Sequence, residues 1–263
     1  KGGLVYFTPM HPCHYRVYST VENSFWCCVG TGMENHAKYG EIIYSFAKDT
    51  LFVNLFINSR LQWDEKRLKI LQQTNFPYQS FTKLSIDVHE PVLLTIKIRK
   101  PKWIKENYLT IKINNQKPVN YIAKNGFVSI TRKWEKNDTI IVQLPQNLSI
   151  EYLPDGSSWA SILYGPIVLA SACDTSNQKG LWADDSRMAH VANGLLYPID
   201  EYPCIISEHK DFSKKIRTVD QSKLIFSVEA FSKTSKKTSI LLRPFFELAE
   251  TRYTVYFPVA SKE

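Results

Sequence analysis

Two cysteines stand side by side in the stretch SFWCCVGTGMENH, residues 24–36. Three chemistries suit a vicinal pair. A disulfide between neighbours closes a strained ring across one peptide bond and is a poor choice. Two buried structural thiols in tandem are the second, and two thiolates aimed at one metal ion are the third. Cys27 and Cys28 lie just ahead of a helical pattern. Free backbone N–H groups and the positive end of a helix dipole favour a thiolate there. Gly30 and Gly32 let the backbone turn sharply and approach closely. Zinc takes thiolates readily and wants four ligands, of which this pair supplies at most two. Cys13 is a candidate third, and His11, His14 and His36 are candidate imidazole ligands. None of them falls at a recognised zinc-ligand spacing, so the residues alone leave a metal site and a buried thiol pair both open.

The elements that must position these residues read as follows. Residues 31–47, TGMENHAKYGEIIYSFA, have helical periodicity, with Met33, Ala37, Ile43 and Phe46 near one face and Tyr39 and Ile42 alongside. Thr31 is the expected N-cap, and Glu34 three residues on completes a capping-box pattern, which favours a structural role for that carboxylate. After residue 50 the pattern changes to short alternating or β-branched runs at 51–58, 92–101, 108–118, 127–134 and 138–145. Asn114-Asn115, Asn125-Gly126 and Asn137-Asp138 punctuate them as turns. Many short strands at close spacing predict an antiparallel β-sandwich. SWASILYGPIVLAS, 158–171, predicts a buried strand pair around Gly165-Pro166. A loop-rich stretch follows, and runs at 223–231, 239–248 and 252–259 predict a second β-unit, with an exposed lysine- and serine-rich hairpin tip at 232–239.

The chain's 263 residues are comfortable for two domains, and 44% hydrophobic with 22% charged residues describes ordinary globular cores. A net charge of +8 invites a nucleic-acid reading. The lysines, Lys97, Lys112, Lys124 and Lys133 among them, are instead scattered along strand-like segments, as on a solvated surface, so no nucleic-acid partner is expected. No apolar run reaches membrane-spanning length, so no membrane span is expected. Five cysteines in this length do not make a disulfide scaffold, and Cys173 and Cys204 read as buried or idle thiols. The opening KGGLVYFTP has no initiator methionine and already reads as structured chain, which predicts a fragment of a longer protein.

The run YFTPMHPCHYRVYSTVENSFWCCVGTGMENHAKYGEIIYSF resembles the zinc-dependent β-L-arabinofuranosidases of glycoside hydrolase families 127 and 146. GLWADDSRMAHVANG, 180–194, is similar to a second landmark of those proteins, as are GPIVLAS and RPFFELAETRYTVYF, so the likeness covers essentially the whole chain. The resemblance implies a mainly β chain: antiparallel β-sandwich domains preceded by the last helical segment of an (α/α)6 barrel. The expected domains are 1–48 as barrel remnant, 49–172 as β-sandwich and 173–263 as a second β-rich unit. It further implies a retaining glycosidase whose nucleophile is Cys27, with Cys27 and Cys28 as zinc ligands. The family's Glu-x-Cys motif and acid/base glutamate belong upstream; Glu22 does not match them, so half the site is missing and this piece alone is expected to be inactive. The family commonly carries asparagine where this chain has Cys13, which weakens Cys13 as a ligand.

Tyr6, in the family's YF-x-P stretch, is a candidate hydroxyl donor near the nucleophile, with a core tyrosine as the plainer reading. His14 and Arg16 are candidate contacts to sugar hydroxyls, Arg16 being equally able to pair with Glu22 or Glu34. Tyr15, Tyr18, Phe25 and Trp26 either cover a core edge or shape a sugar pocket. Asp184, Asp185, Arg187 and His190 look like a catalytic constellation but are expected to dock the β-domain on the barrel or border the pocket. The implied partners are an arabinose-containing oligosaccharide or polysaccharide and the protein's own N-terminal barrel, and the implied compartment is the periplasm or the outside. A rival reading from another class is a non-catalytic carbohydrate-binding or domain-packing β-sandwich protein.

Overall fold

The computed structural model describes residues 3–20, 24, 26–234 and 236–261. The proposed ion-pair partner Glu22, the aromatic Phe25 and the tip residue Ser235 lie outside them. Residues 3–20 are irregular, and the chain then enters α1, Cys27–Ile42. The helix therefore begins a full turn earlier than the capping-box pattern predicts. Thr31 is not its cap but an interior residue, whose hydroxyl donates back to the Cys27 carbonyl at 3.4 Å. Gly30 and Gly32 are helical as well. Of the periodic apolar residues, Met33, Tyr39 and Ile42 are exposed, whereas Val29 is buried. The helix stops at Ile42 because the next residues, Tyr44–Ala47, pair as a strand rather than continuing it.

The chain divides into two compact units, 36–146 and 1–35 with 147–263. The first holds β1 (Tyr44–Ala47), β2 (Thr50–Val53), β3 (Ser59–Trp63), β4 (Leu68–Thr74), β5 (Phe81–Val88), β6 (Val92–Arg99), β7 (Tyr108–Ile113), β8 (Val119–Ile122), β9 (Phe127–Trp134) and β10 (Thr139–Gln143). They form two sheets, in the orders β1-β2-β6-β9 and β3-β4-β5-β10-β7-β8, antiparallel except where β2 runs parallel to β6. Alternation explains the layering. Along β5, Thr82, Leu84, Ile86 and Val88 are buried while Lys83, Ser85 and Asp87 point the other way. One core gathers Leu51, Leu94, Ile96, Val128 and Trp134 from the first sheet with Ile70, Leu84, Ile111 and Ile140 from the second. That is a sandwich, as the strand spacing predicts. The turn asparagines do what their type permits: Asn114, Asn125 and Asn137 all have left-handed backbone, φ 50°, 51° and 69°. Asn125 and Gly126 bridge a tight hairpin closed by reciprocal Lys124–Phe127 backbone hydrogen bonds.

The second unit carries β11 (Leu148–Tyr152), β12 (Trp159–Tyr164), β13 (Ile167–Ala172), β14 (Ile205–Ile206), β15 (Arg217–Asp220), β16 (Ile225–Phe231), β17 (Lys237–Pro244), β18 (Tyr253–Thr254) and β19 (Phe257–Ala260). Their order is β14-β19-β12-β13-β17-β16-β15, with β11 beside β12 and β18 beside β13. β12 and β13 turn on Gly165 at φ 58°, as expected, but they pair with β17, β18 and β19 and not with the strands of residues 44–143. The division thus falls at 146/147, ahead of the expected 172. The lysine-rich tip is also shorter than expected, because β17 already begins at Lys237.

Candidate active site at the vicinal thiols

Cys27 and Cys28 open the first turn of α1 and are both exposed, with their sulfurs 3.9 Å apart. The first turn of a helix leaves N–H groups without helical partners, and its dipole favours negative charge. The Tyr6 hydroxyl lies beside the Cys28 thiol. Negative charge on Cys28, then on Cys27, pushes the Tyr6 phenol above its ordinary range. The Cys28 thiol is itself pushed up, first by its hydrogen bond with Cys27, then by burial and the Cys27 charge, while Tyr6 pulls it down. The Tyr6 phenol and the Cys28 thiol thus both hold their protons more tightly than usual.

The lead-in that carries Tyr6 and runs up to the thiols is fastened to the 173–198 loop of the same unit. Backbone bonds run from Tyr18 N–H to the Leu181 carbonyl (2.9 Å) and from Ala183 N–H to the Tyr18 carbonyl (2.8 Å). The Tyr15 hydroxyl donates to the Lys179 carbonyl (2.5 Å) and accepts from Gly194 N–H (2.7 Å). Gly194 has to be glycine: a Cβ there would lie 2.1 Å from the Asn177 carbonyl oxygen and 2.6 Å from the Tyr15 hydroxyl. The Ser24 hydroxyl donates to the Asp184 carbonyl and so fastens the approach to α1.

Sequence reasoning missed the residue that does most of this work. Arg252 is wholly buried and fans its guanidinium onto three carbonyls, of Cys13 (2.7 Å), Asn177 (2.6 Å) and Ser176 (2.8 Å). Its charge also lies 5.1 Å from the Tyr15 ring and 4.4 Å from the Tyr197 ring. An arginine between two aromatic-containing runs gives no local sign that its partners lie 75 or more residues away.

Cys13 and Cys173 correct the cysteine reading. They are bonded to each other as a disulfide, Cα atoms 5.6 Å apart, across 160 residues of sequence. Cys13 is thus no third metal ligand and Cys173 no idle thiol. Cys204 remains free, with burial pushing its thiol up.

The two candidate sugar contacts face inward. His14 is 7% exposed, bridges β18 through Tyr253 and packs edge-on against Tyr15 at 5.0 Å. Arg16 lies over the Phe245 ring at 4.5 Å and donates to the Leu248 carbonyl. In the 180–194 landmark, the Asp184 carboxylate accepts from Ser186 N–H (2.8 Å) in a local turn, and the Ser186 side chain, then that N–H, hold its carboxyl below the usual range. His190 packs against Tyr6. Among the described residues no three His, Cys, Asp or Glu side chains come together as a metal site.

Three family models match the chain. Residues 1–41 match the catalytic domain of the GH127 β-L-arabinofuranosidases, 50–146 their middle domain, and 149–259 a domain of unknown function. No curated protein matches it. Among solved structures, a GH127 β-L-arabinofuranosidase from Geobacillus stearothermophilus T6 superposes with a TM-score of 0.70 at 17% identity, over 99% of this chain and 43% of that one. A GH127 β-arabinofuranosidase and a protein described as a glycoside hydrolase each give 0.64, at 18% and 16% identity, over 90% of this chain and 40% of theirs. The chain thus spans about two fifths of the length of the structures it matches.

Proposed function

Because the chain belongs to the GH127 β-L-arabinofuranosidase family, we propose that the complete protein is a retaining glycoside hydrolase that releases L-arabinofuranose from plant-type glycans. The observation that carries the reading is the exposed thiol pair on the first turn of α1. Its geometry suits a shared metal. Two sulfurs on one tetrahedral zinc, each at ~2.3 Å, sit about 3.8 Å apart, and here they are 3.9 Å apart. Cys27 and Cys28 would supply two of the four ligands, the others coming from outside this chain. Zinc, when bound, would keep both sulfurs deprotonated at neutral pH.

In this scheme the Cys27 sulfur attacks the anomeric carbon and the glycosidic C–O bond breaks. The leaving oxygen takes a proton from an acid that this chain does not contain. Water then displaces the sulfur and frees the sugar with its configuration retained. Cys28 stays with the metal, and the Tyr6 hydroxyl donates beside it. His14 and Arg16, turned inward, hold the lead-in rather than the sugar. With two ligands and no acid, this chain alone is expected to be inactive. The Cys13–Cys173 disulfide supports a periplasmic or secreted location, since such bonds persist in oxidising compartments.

The test uses the full-length protein and a β-L-arabinofuranosyl substrate. Cys27→Ser should lose nearly all turnover yet still bind sugar, because a serine hydroxyl is a far weaker nucleophile at neutral pH. Cys28→Ser should lose zinc by metal analysis. Full zinc occupancy in Cys28→Ser, or substantial turnover in Cys27→Ser, would sink the assignment and leave the non-catalytic reading.

A further inference from the structure

The 180–194 landmark has no role in the scheme above, and one of its side chains reaches the thiols' neighbourhood. The His190 ring lies 4.6 Å from the Tyr6 ring, 5.3 Å from Phe7 and 5.3 Å from Trp26. Tyr6 also meets Phe7 edge-on at 4.6 Å and Trp26 at 6.2 Å. Trp26 immediately precedes Cys27, and the hydroxyl of Tyr6 lies beside the Cys28 thiol. Three rings from the lead-in thus close around one imidazole from the 173–198 loop of the same unit. We infer that His190 is a positioning residue, which packs against Tyr6 and Trp26 and so keeps the Tyr6 hydroxyl beside the Cys28 thiol.

The backbone around His190 is built to be firm. On one side Ser24 binds the Asp184 carbonyl, and the turns Ala189 N–H to Ser186 carbonyl (3.1 Å) and Val191 N–H to Met188 carbonyl (3.0 Å) bracket the histidine. On the other side Gly194 is fixed to the Tyr15 hydroxyl. Tyr6 has weaker moorings. It lies in irregular chain next to the Val5–Tyr18 bridge, with its ring against Phe7, Trp26 and His190. Without the imidazole the phenol could rotate off the sulfur. His190 does not itself touch the reacting atoms. Its Nδ1 is closed off from solvent and has no hydrogen-bond partner among the described residues, so its part here is played by the face of the ring. This assigns the domain of unknown function a task in the active site: it completes the aromatic wall behind a metal-binding thiol.

The inference deepens the proposed function and rests on it, so the test separates the two. Full-length wild type, His190→Ala, Tyr6→Phe and the double variant are titrated with cobalt(II), whose thiolate-to-metal absorption band reports the sulfurs directly. Loss of a partner one step out from a ligand costs ~10–100-fold in metal affinity or activity. His190→Ala should therefore weaken cobalt binding by about tenfold or more and lower kcat comparably, with KM within about twofold. In the Tyr6→Phe background the same change should add less than about twofold, because its route is already cut. His190→Phe, which keeps a ring, should restore most of the binding. Equal losses in both backgrounds, or no loss in His190→Ala, would overturn the inference. Should His190→Ala fail to fold, His190→Leu fills the volume without a ring and is read by the same cycle. If wild type releases no arabinose while the cobalt cycle behaves as described, the function is wrong and the positioning role stands. Turnover with an additive cycle gives the reverse.

Discussion

Removing the Cys13–Cys173 bond offers a sharp quantitative test of the fold. The bridge spans 160 residues. In the chain-entropy picture, freeing so long a loop in the unfolded chain gives up ~5 kcal/mol of stability, and measured values for native bridges run at about 2–5 kcal/mol. The lower part of that range is expected, because the lead-in keeps other moorings. Arg252 binds the Cys13 carbonyl, Tyr253 N–H binds the His14 carbonyl at 2.9 Å, and the Tyr253 hydroxyl binds the Pro9 carbonyl at 2.8 Å. A loss of about 3 kcal/mol lowers the unfolding midpoint of a chain this size by about 6–12 °C. The comparison is between oxidised wild type and Cys13→Ala/Cys173→Ala in thermal unfolding. A thiol count under denaturing, non-reducing conditions accompanies it and should find three, Cys27, Cys28 and Cys204. Five titrating thiols, or a midpoint unchanged within about 1 °C, would refute the bridge as a structural tie.

Two further outcomes concern the residues around that tie. Arg252→Met strips the donor from three carbonyls at once, and an acceptor left buried and unsatisfied costs about 1–3 kcal/mol, so stability should fall by at least that much; a urea midpoint close to wild type would show that the fan carries no weight. Burial, then the charges of Arg252 and His11, hold the His14 imidazole below its ordinary range. The unfolded chain therefore binds the extra proton first, and stability should fall as pH drops from about 7 through the unfolded value of ~6.5 towards the folded one. His14→Phe should flatten that dependence, and an unchanged slope would discount His14 as its source.

Legibility in the sequence followed the range of the forces involved. Strands such as 92–99 and 127–134 were readable because alternation is a local consequence of facing one core, and Asn125-Gly126 because a two-residue hairpin needs left-handed backbone. The strands at 59–63, 68–74 and 81–88 carry the same alternation, but Ser59, Gln72 and Thr82 stand at core-side positions and mask it. Gln72 shows why composition misleads there. It is 1% exposed in mid-strand, and its amide donates to the Leu55 and Ile57 carbonyls at 2.9 Å each. The α1 start was misplaced because Gly30 and Gly32 look like a turn; only packing reveals that a helix runs through them.

The site divides along the same line. The vicinal cysteines announce themselves, since their type and adjacency are properties of the chain. The disulfide does not, because a bond between residues 160 apart depends on the fold that joins them. One clue lay at hand. Cys13 has left-handed backbone, φ 52°, a conformation asparagine tolerates well, and asparagine is what the resembled family carries there. The backbone demand fits both residues, while the bridge to Cys173 holds the cysteine in it. His190 is the intermediate case. Its landmark is visible in the sequence, yet its partners Tyr6 and Trp26 precede it by more than 160 residues. What the sequence hides is the means by which the 173–198 loop reaches the neighbourhood of the thiols within one compact unit. The loop is pinned by Tyr15 and Ser24 and carries one imidazole to the ring beside Cys28.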